Sequence, residues 1–118
     1  MAALQLRKSI VANKNGDKLE ELRWLELASA SDRNDSEILV RLADLAEELE
    51  KWEVAIKALR NISLIKTPCT MSKAESFLRQ GRITHSQGDS KRAVLYAKKA
   101  IQENREYQDA IDFLKEIS

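Results

Sequence analysis

The chain has 118 residues, with 20 basic and 19 acidic side chains, one histidine, one cysteine, one proline and three glycines. This length suits a single domain over residues 1–118. The net charge of +1 provides no long-range field that would attract nucleic acid or an anionic membrane. One cysteine excludes an internal disulfide and a cysteine-based structural zinc site. Few glycines and prolines among 33% charged residues are typical of helical proteins.

No targeting or membrane signal is visible in the sequence. Residues 1–14 lack the unbroken apolar run of a signal peptide, because Arg7 and Lys8 interrupt it. No stretch approaches the ~18–20 apolar residues of a membrane span. The unpaired Cys69 fits a reducing compartment. We therefore expect a cytoplasmic protein without membrane contacts, although a fragment of a secreted protein would look the same.

Apolar residues at helical spacing predict about seven short helices and no strand. Asp17–Ala30 carries leucines on one broad face, and Gly16-Asp17 opens it with a turn and an N-cap. Thr67-Pro68 then predicts a break, because the residue before a proline is driven out of helical geometry. Five further helical stripes lie within Ile38–Leu49, Trp52–Ile62, Ser72–His85, Ala93–Ile101 and Tyr107–Ile117. The predicted fold class is all-α.

The predicted helices form repeating antiparallel pairs. Gly16-Asp17, Glu50-Lys51 and Gly88-Asp89 each join a first helix to a second, at separations of 34 and 38 residues. The same shifts align three sets of mostly small residues: Ser9, Ala43 and Gly81; Ala28, Ile62 and Ala100; and Glu21, Ala55 and Ala93. Two helix backbones approach closely only where no large side chain separates them. The pattern therefore predicts helix pairs stacked in a row.

The third pair resembles a tetratricopeptide repeat (TPR) in its large, small and turn positions. The residues that carry the resemblance are Phe77, Gly81, Gly88-Asp89, Ala93, Tyr96 and Ala100. The second pair matches through Leu39, Leu42, Ala43, Trp52, Ala55 and Leu59, with Glu50-Lys51-Trp52-Glu53 in place of the usual Gly-Asp-Tyr-Glu. The first pair keeps Gly16-Asp17, Leu25 and Ala28, but has Glu21 where a small residue is commoner.

Two departures from the TPR pattern accompany this resemblance. Arg33 and Arg105 stand where the family often has proline, and four extra residues around Thr67–Thr70 lengthen the link between the second and third pairs. The resemblance implies an α-solenoid of three TPR-like repeats, at about residues 2–35, 36–73 and 74–107. Residues 108–118 would form a capping helix that shields the end of the stack.

The two tryptophans lead to different expectations. Trp52 is expected to pack at the start of its helix. Trp24 is less constrained, because Leu25 occupies the better core position. An exposed Trp24 would mark a contact surface or the place of an upstream repeat.

The sequence contains no positive signal for catalysis, a metal or a cofactor. His85 has no serine or cysteine at a helical spacing that would form a nucleophile–base pair with it. Gly81 and Gly88 do not belong to a phosphate-binding loop, because no Gly-Lys-Ser/Thr follows them. Glu47 and Glu48 diverge by about 100° on a helix, so a solvated face explains them better than a metal site. We expect a protein that is not an enzyme and that needs no cofactor.

In TPR proteins the first helix of each pair lines a concave groove, so the resemblance implies a protein or peptide partner bound there. Arg7, Arg41 and Arg79 hold equivalent places, and their guanidinium groups suit carboxylates or phosphates. In the alternative interpretation, each arginine pairs with a nearby acidic residue. The expected partner-binding residues are Leu6, Arg7, Ile10, Val40, Arg41, Asp44, Leu78, Arg79, Arg82 and His85.

The predicted function is that of a protein–protein interaction scaffold which captures a peptide or helix without covalent chemistry. Four apolar residues would supply affinity, and the arginines would supply orientation. A clamp for chaperone tails is not expected, because only Arg79 fits the basic and amide positions that such repeats use. Two alternatives stay open: a self-assembling, homo-oligomeric scaffold and a regulatory fragment of a larger protein. RNA binding is disfavoured by the near-neutral charge.

Overall fold

The computed structural model describes residues 2–66 and 68–118. These residues form seven helices and no strand, and the helices are α1 (Ala2–Lys14), α2 (Lys18–Ser31), α3 (Ser36–Glu48), α4 (Trp52–Leu64), α5 (Lys73–Ser86), α6 (Ser90–Glu103) and α7 (Gln108–Ile117). The all-α prediction is confirmed. The chain divides into two compact units, Met1–Thr70 and Met71–Ser118. None of the described helices is both long enough and apolar enough to cross a membrane.

The same backbone turn follows α1, α3 and α5. Its left-handed residue is Gly16 (φ 74°), Glu50 (φ 57°) or Gly88 (φ 85°). In each turn the N–H of this residue donates to the carbonyl three residues back at 3.0–3.1 Å, and the next N–H donates to the carbonyl five residues back at 2.8–2.9 Å. These two bonds define a Schellman motif, which satisfies carbonyls that the helix end leaves free. The three turns predicted from the repeat therefore share one geometry.

Side-chain caps begin four of the helices. Asp17 accepts from the N–H of Glu20, and Asp89 accepts from the N–H of Arg92. Asp35 caps α3 and Ser72 caps α5 in the same way. Lys51 stands at the equivalent place before α4 and makes no side-chain cap bond, because an ammonium group cannot accept a hydrogen bond.

The described part of the extra segment between the second and third pairs, residues 68–70, lies in a connection and not in a helix. The connection from α4 to α5 covers eight residues (65–72), whereas those from α2 to α3 (32–35) and from α6 to α7 (104–107) cover four. The insertion therefore lengthens a loop. Thr67, at which the sequence predicts a helix break, lies outside the described residues.

The first unit contains two antiparallel helix pairs. Helix α1 packs along α2, α3 packs along α4, and α2 packs on α3. Leu25, Ala28, Leu39, Ala55 and Leu59 are completely buried. The aligned small positions Ser9 and Ala43 are at most 1% exposed, so the helices approach closely where the sequence alignment places small side chains.

The second unit contains the pair α5–α6 and the terminal helix α7, which packs on α6. Gly81 marks a close approach between the helices, since a Cβ at this position would lie 3.1 Å from Phe113 Cε2 and 3.3 Å from the Ala93 carbonyl oxygen. Phe113 and Ala110 turn the apolar side of α7 into the core of this unit. This is the placement expected of a capping helix.

Candidate functional site

The residues expected to contact a partner lie on the first helices α1, α3 and α5. In the first unit, Arg7, Arg41 and Asp44 are exposed, and their apolar companions Leu6, Ile10 and Val40 are half-buried. In the second unit, Arg82 and His85 are exposed and Arg79 is half-buried.

One of the expected contact residues is misplaced by the sequence reasoning. Leu78 is only 1% exposed, and its side chain belongs to the core of the second unit together with Ala97 and Phe113. A side chain buried to this degree offers no surface to a ligand. The expectation that Leu78 contributes affinity in a groove is therefore wrong. The physical reason is that α6 and α7 enclose this side of α5.

Two of the three aligned arginines form ion pairs within their own helices. Arg41 Nη2 lies 3.2 Å from Glu37 Oε1, and Arg79 Nη2 lies 3.1 Å from Glu75 Oε2. Both pairs have i,i+4 spacing, and such partly exposed pairs contribute only about 0.3–0.5 kcal/mol each. At Arg7 the residue four positions earlier is Ala3. The acid-pairing interpretation thus applies to Arg41 and Arg79, while their exposed fractions leave both accessible to a further partner.

A polar cavity of about 220 Å³ lies beside Arg41 and Asp44 in the first unit. Residues of both helix pairs line it, and Lys18 of the first pair forms an ion pair with Glu48 of the second. The lining residues are Asn13, Lys18, Glu21, Arg41, Asp44, Leu45 and Glu48.

Glu21 is the unusual member of this cavity, because it is a carboxylate with only 8% exposure. Its Oε1 accepts a hydrogen bond from Asn13 Nδ2 at 3.1 Å. The equivalent residues Ala55 and Ala93 have no polar side chain, so Glu21 and Asn13 form a polar contact between α1 and α2 that is particular to the first pair. The sequence signal for it was the large acidic residue at a small-residue position.

In the second unit, Tyr107 interacts electrostatically with charged residues of α5. Partial burial raises the pKa of Tyr107 above its ordinary value of 10.0, and the negative charges of Glu75 and Asp109 raise it further, whereas Arg82 and Arg79 lower it. The phenol is therefore neutral at physiological pH and can donate a hydrogen bond. Sequence reasoning did not identify Tyr107 as part of this cluster, because its contact with α5 depends on how α7 packs.

His85 has a packing partner at this end of α5. Its ring meets the ring of Phe113 edge-on, at a centroid distance of 5.9 Å. Within residues 2–66 and 68–118, no group of three or more His, Cys, Asp and Glu side chains is arranged to hold a metal ion.

Trp24 and Trp52 are both half-buried. Lys8 Nζ lies 4.4 Å from the centroid of the Trp24 ring, and the guanidinium of Arg23 lies 5.9 Å from it. The indole N–H of Trp24 donates to Glu20 Oε1 at 3.4 Å. Trp24 is thus in contact with polar and charged side chains of α1 and α2, keeps part of its surface exposed, and is not part of the apolar core.

No protein-family model and no curated protein matches the chain. Solved structures do resemble it. A crystal structure of the MamA protein superposes with a TM-score of 0.76 at 20% identity, and a second MamA structure with 0.73 at 21%. The matches cover 98% and 92% of this chain, which spans 61% of the length of each MamA chain.

Two further neighbours are a TPR domain and a transferase. The TPR domain of Arabidopsis OM64 matches with a TM-score of 0.70 at 16% identity, over 98% of this chain and 93% of that domain. An O-GlcNAc transferase from Thermobaculum terrenum matches with a TM-score of 0.64 at 20% identity, over 98% of this chain and 22% of the transferase. At these identities the similarity concerns the fold. The chain has a TPR-like helical-repeat fold.

Proposed function

We propose that this chain is a non-catalytic protein-interaction module, organised as three TPR-like repeats over residues 2–35, 36–73 and 74–107. The TPR-like fold supports this proposal by analogy with a structural class that presents its first helices to ligands. The chemistry of the described residues supports it as well, because exposed cations and half-buried apolar side chains occur together on α1 and α3.

In the first unit, the ligand-binding surface in this proposal consists of Leu6, Arg7, Ile10, Val40 and Arg41, with Asp44 at its edge. Half-buried apolar residues keep enough exposed area to gain from contact with apolar side chains of a peptide. Arg41 is held in place by Glu37, and a second carboxylate can still bind the free edge of its planar guanidinium group. The observation that carries the proposal is this combination of an oriented, accessible arginine with flanking apolar residues.

In the second unit, α5 presents Arg79, Arg82 and His85 in the same proposal. Arg79 is oriented by Glu75, as Arg41 is oriented by Glu37. Leu78 is excluded, because it is buried in the core. The predicted ligand is a peptide or helix of a protein partner that carries carboxylate groups beside apolar side chains.

The proposal is tested by selecting peptides that bind the folded chain from a displayed random library, and by measuring the affinity of the selected peptides for charge-reversed variants. Arg41→Glu is expected to weaken binding by roughly tenfold or more, because it replaces attraction to a ligand carboxylate with repulsion. Arg60→Glu is the matched control, since Arg60 is an exposed arginine on the second helix α4.

The expected result is a loss of affinity with Arg41→Glu and an unchanged affinity with Arg60→Glu, while circular dichroism shows that both variants remain folded. Equal losses in the two variants, or no loss in either, would overturn the placement of the ligand on α1 and α3.

A further inference from the structure

The first helix pair exposes residues whose counterparts in the second pair are buried. Leu4 is 49% exposed and Val11 is 56% exposed on α1. Lys8 is also exposed, and Trp24 on α2 is half-buried. We call Leu4, Lys8, Val11 and Trp24 the first-pair face. The residues 34 positions further along are Ile38, Leu42, Leu45 and Ala58, all of which are at most 6% exposed.

The counterpart of this face is covered by a helix. In the first unit α2 packs on α3, and a cavity of about 460 Å³ remains between α2 and α4. Leu42, Val54 and Ala58 line this cavity on the side of the second pair. The opposite wall comes from the C-terminal half of α2 and the turn after it, with Glu26, Ser29, Ala30 and Arg33.

The first pair has a cavity of its own, and three of its lining residues are counterparts of residues that line the cavity of the second pair. It is lined in part by Lys8, Glu20 and Trp24, which precede Leu42, Val54 and Ala58 by 34 residues. All of its lining residues belong to α1, α2 and their turn. In the part of the chain that the structure describes, α2 is the one helix against which α1 packs extensively. Among the described residues, no helix supplies to the first pair the wall that α2 supplies to the second.

We propose that the first-pair face binds an amphipathic helix of a partner protein, placed on α1 as α2 is placed on α3. Leu4, Lys8 and Val11 have i, i+4 and i+7 spacing, so they form a ridge along α1 beside the depression at Trp24. Helices pack by fitting such ridges into grooves, and a helix with a leucine and alanine stripe already covers the equivalent ridge of α3.

The charges of the face specify the flanks of the bound helix. Three cations, Arg7, Lys8 and Arg23, lie around Trp24 against one carboxylate, Glu20, which accepts a hydrogen bond from the indole N–H, and two of these cations lie within 6 Å of the ring centroid. On the bound helix, carboxylates form ion pairs with these cations. The cavity of the second pair offers a parallel, because both acidic and basic side chains line it. There Glu26 of α2 lies in the same cavity as Lys57, which is the counterpart of Arg23. The excess of cations around Trp24 therefore calls for acidic side chains beside the apolar stripe of the partner helix.

The chain contains a suitable probe for this proposal, because α2 is itself such a helix. Residues 17–35 carry six acidic and three basic side chains around a leucine-rich stripe. The probe is a synthetic peptide of residues 17–35 with Trp24→Phe, added to protein that carries Trp52→Phe. Trp24 of the protein is then the only tryptophan in the sample and reports contact through its fluorescence.

The expected result is a saturable blue shift of the Trp24 emission, with a dissociation constant near 100 µM or below, on the order of a small helix–helix contact. Val11→Asp in the protein should weaken binding by roughly tenfold, because it places a carboxylate in the apolar centre of the contact. Leu64→Asp is the matched control, since Leu64 is 69% exposed on α4. A peptide with Glu20, Glu21 and Glu26 changed to Gln should bind more weakly than the probe, and added salt should reduce the difference.

Three results would overturn the proposal. The first is no saturable response up to about 1 mM peptide, which is weaker than a specific contact of this kind. The second is equal affinity for the Val11→Asp and Leu64→Asp proteins. The third is a protein dimer, detected by sedimentation without peptide, that Val11→Asp dissolves, because the occupant would then be a second copy. Arg41→Glu should leave binding of the probe peptide unchanged, because Arg41 belongs to the groove proposed above and not to the first-pair face; Arg7 is the residue that the two surfaces share.

Discussion

Asn13 of α1 donates a hydrogen bond to the nearly buried carboxylate of Glu21 on α2, at 3.1 Å. The residues aligned with Glu21 in the other two helix pairs are Ala55 and Ala93, whose methyl side chains cannot form this polar contact. A carboxylate with little access to water depends strongly on each hydrogen-bond donor that it has.

The contact predicts a specific pattern of stabilities. Asn13→Ala should lower the free energy of unfolding by about 1 kcal/mol, because it leaves the Glu21 carboxylate without this donor. The same substitution in a Glu21→Ala background should cost much less, since no carboxylate remains to be satisfied. Urea unfolding of the four proteins of this double-mutant cycle measures the coupling. Strictly additive effects would show that the hydrogen bond does not contribute to stability.

The backbone conformation of Glu50 leads us to expect that glycine at this position will stabilise the protein. Glu50 has a φ of 57°, in the place where the other two turns have glycine, and a side chain in this left-handed region is strained. Glu50→Gly should raise the free energy of unfolding by about 0.5–1 kcal/mol, after allowance for the greater freedom of glycine in the unfolded chain. Thermal melts check the direction. Gly16→Ala and Gly88→Ala are the reverse experiments, and both should lower the melting temperature.

Lys51 predicts a second stabilising change, at the start of α4. The equivalent Asp17 and Asp89 accept hydrogen bonds from the first turns of their helices, whereas Lys51 makes no such bond. Lys51→Asp should add about 1 kcal/mol, because it caps a free N–H group and places a negative charge at the helix N-terminus. Lys51→Ser, which caps without the charge, separates the two contributions. A Lys51→Asp protein that melts at or below the temperature of the parent would contradict the prediction.

Tyr107 predicts a loss of stability at high pH. Burial and neighbouring carboxylates raise its pKa above 10.0 in the folded protein, so above about pH 10 the unfolded chain releases this proton first. The unfolded state then binds fewer protons than the folded state, and stability falls as the pH rises. In a Tyr96→Phe protein, Tyr107 is the sole tyrosine, and its absorbance at 295 nm follows the titration directly.

Two variants of the Tyr96→Phe protein identify the charges that act on Tyr107. Arg82→Gln should move the midpoint of the titration upwards, because it removes a cation that favours the phenolate. Glu75→Gln should move the midpoint downwards. A midpoint at or below 10 in the parent protein would show that Tyr107 is not shielded from water as the structure describes.

Interactions between near neighbours in the chain made much of this structure predictable. Asp17 and Asp89 cap the helices expected of them, the turns at Gly16 and Gly88 are where the repeat predicted them, and the small residues Ser9 and Ala43 lie in close helix contacts. The pairing of Arg79 with Glu75 also follows from i,i+4 spacing. Each of these features depends on groups separated by a few residues or on a period repeated along the chain, and both can be read from the order of the amino acids.

Only the tertiary structure decided which helix faces are covered. Leu78 and Val11 are both apolar residues on first helices, yet Leu78 is 1% exposed and Val11 is 56% exposed. The difference arises because α6 and α7 enclose one side of α5, whereas α1 packs extensively only on α2 among the described helices. Burial depends on neighbours that are distant in the chain, and helical periodicity shows which side of a helix is apolar but not what lies against it. The sequence by itself therefore determined the helices, their caps and their repeat, and the packing of those helices determined which surfaces remain free to bind.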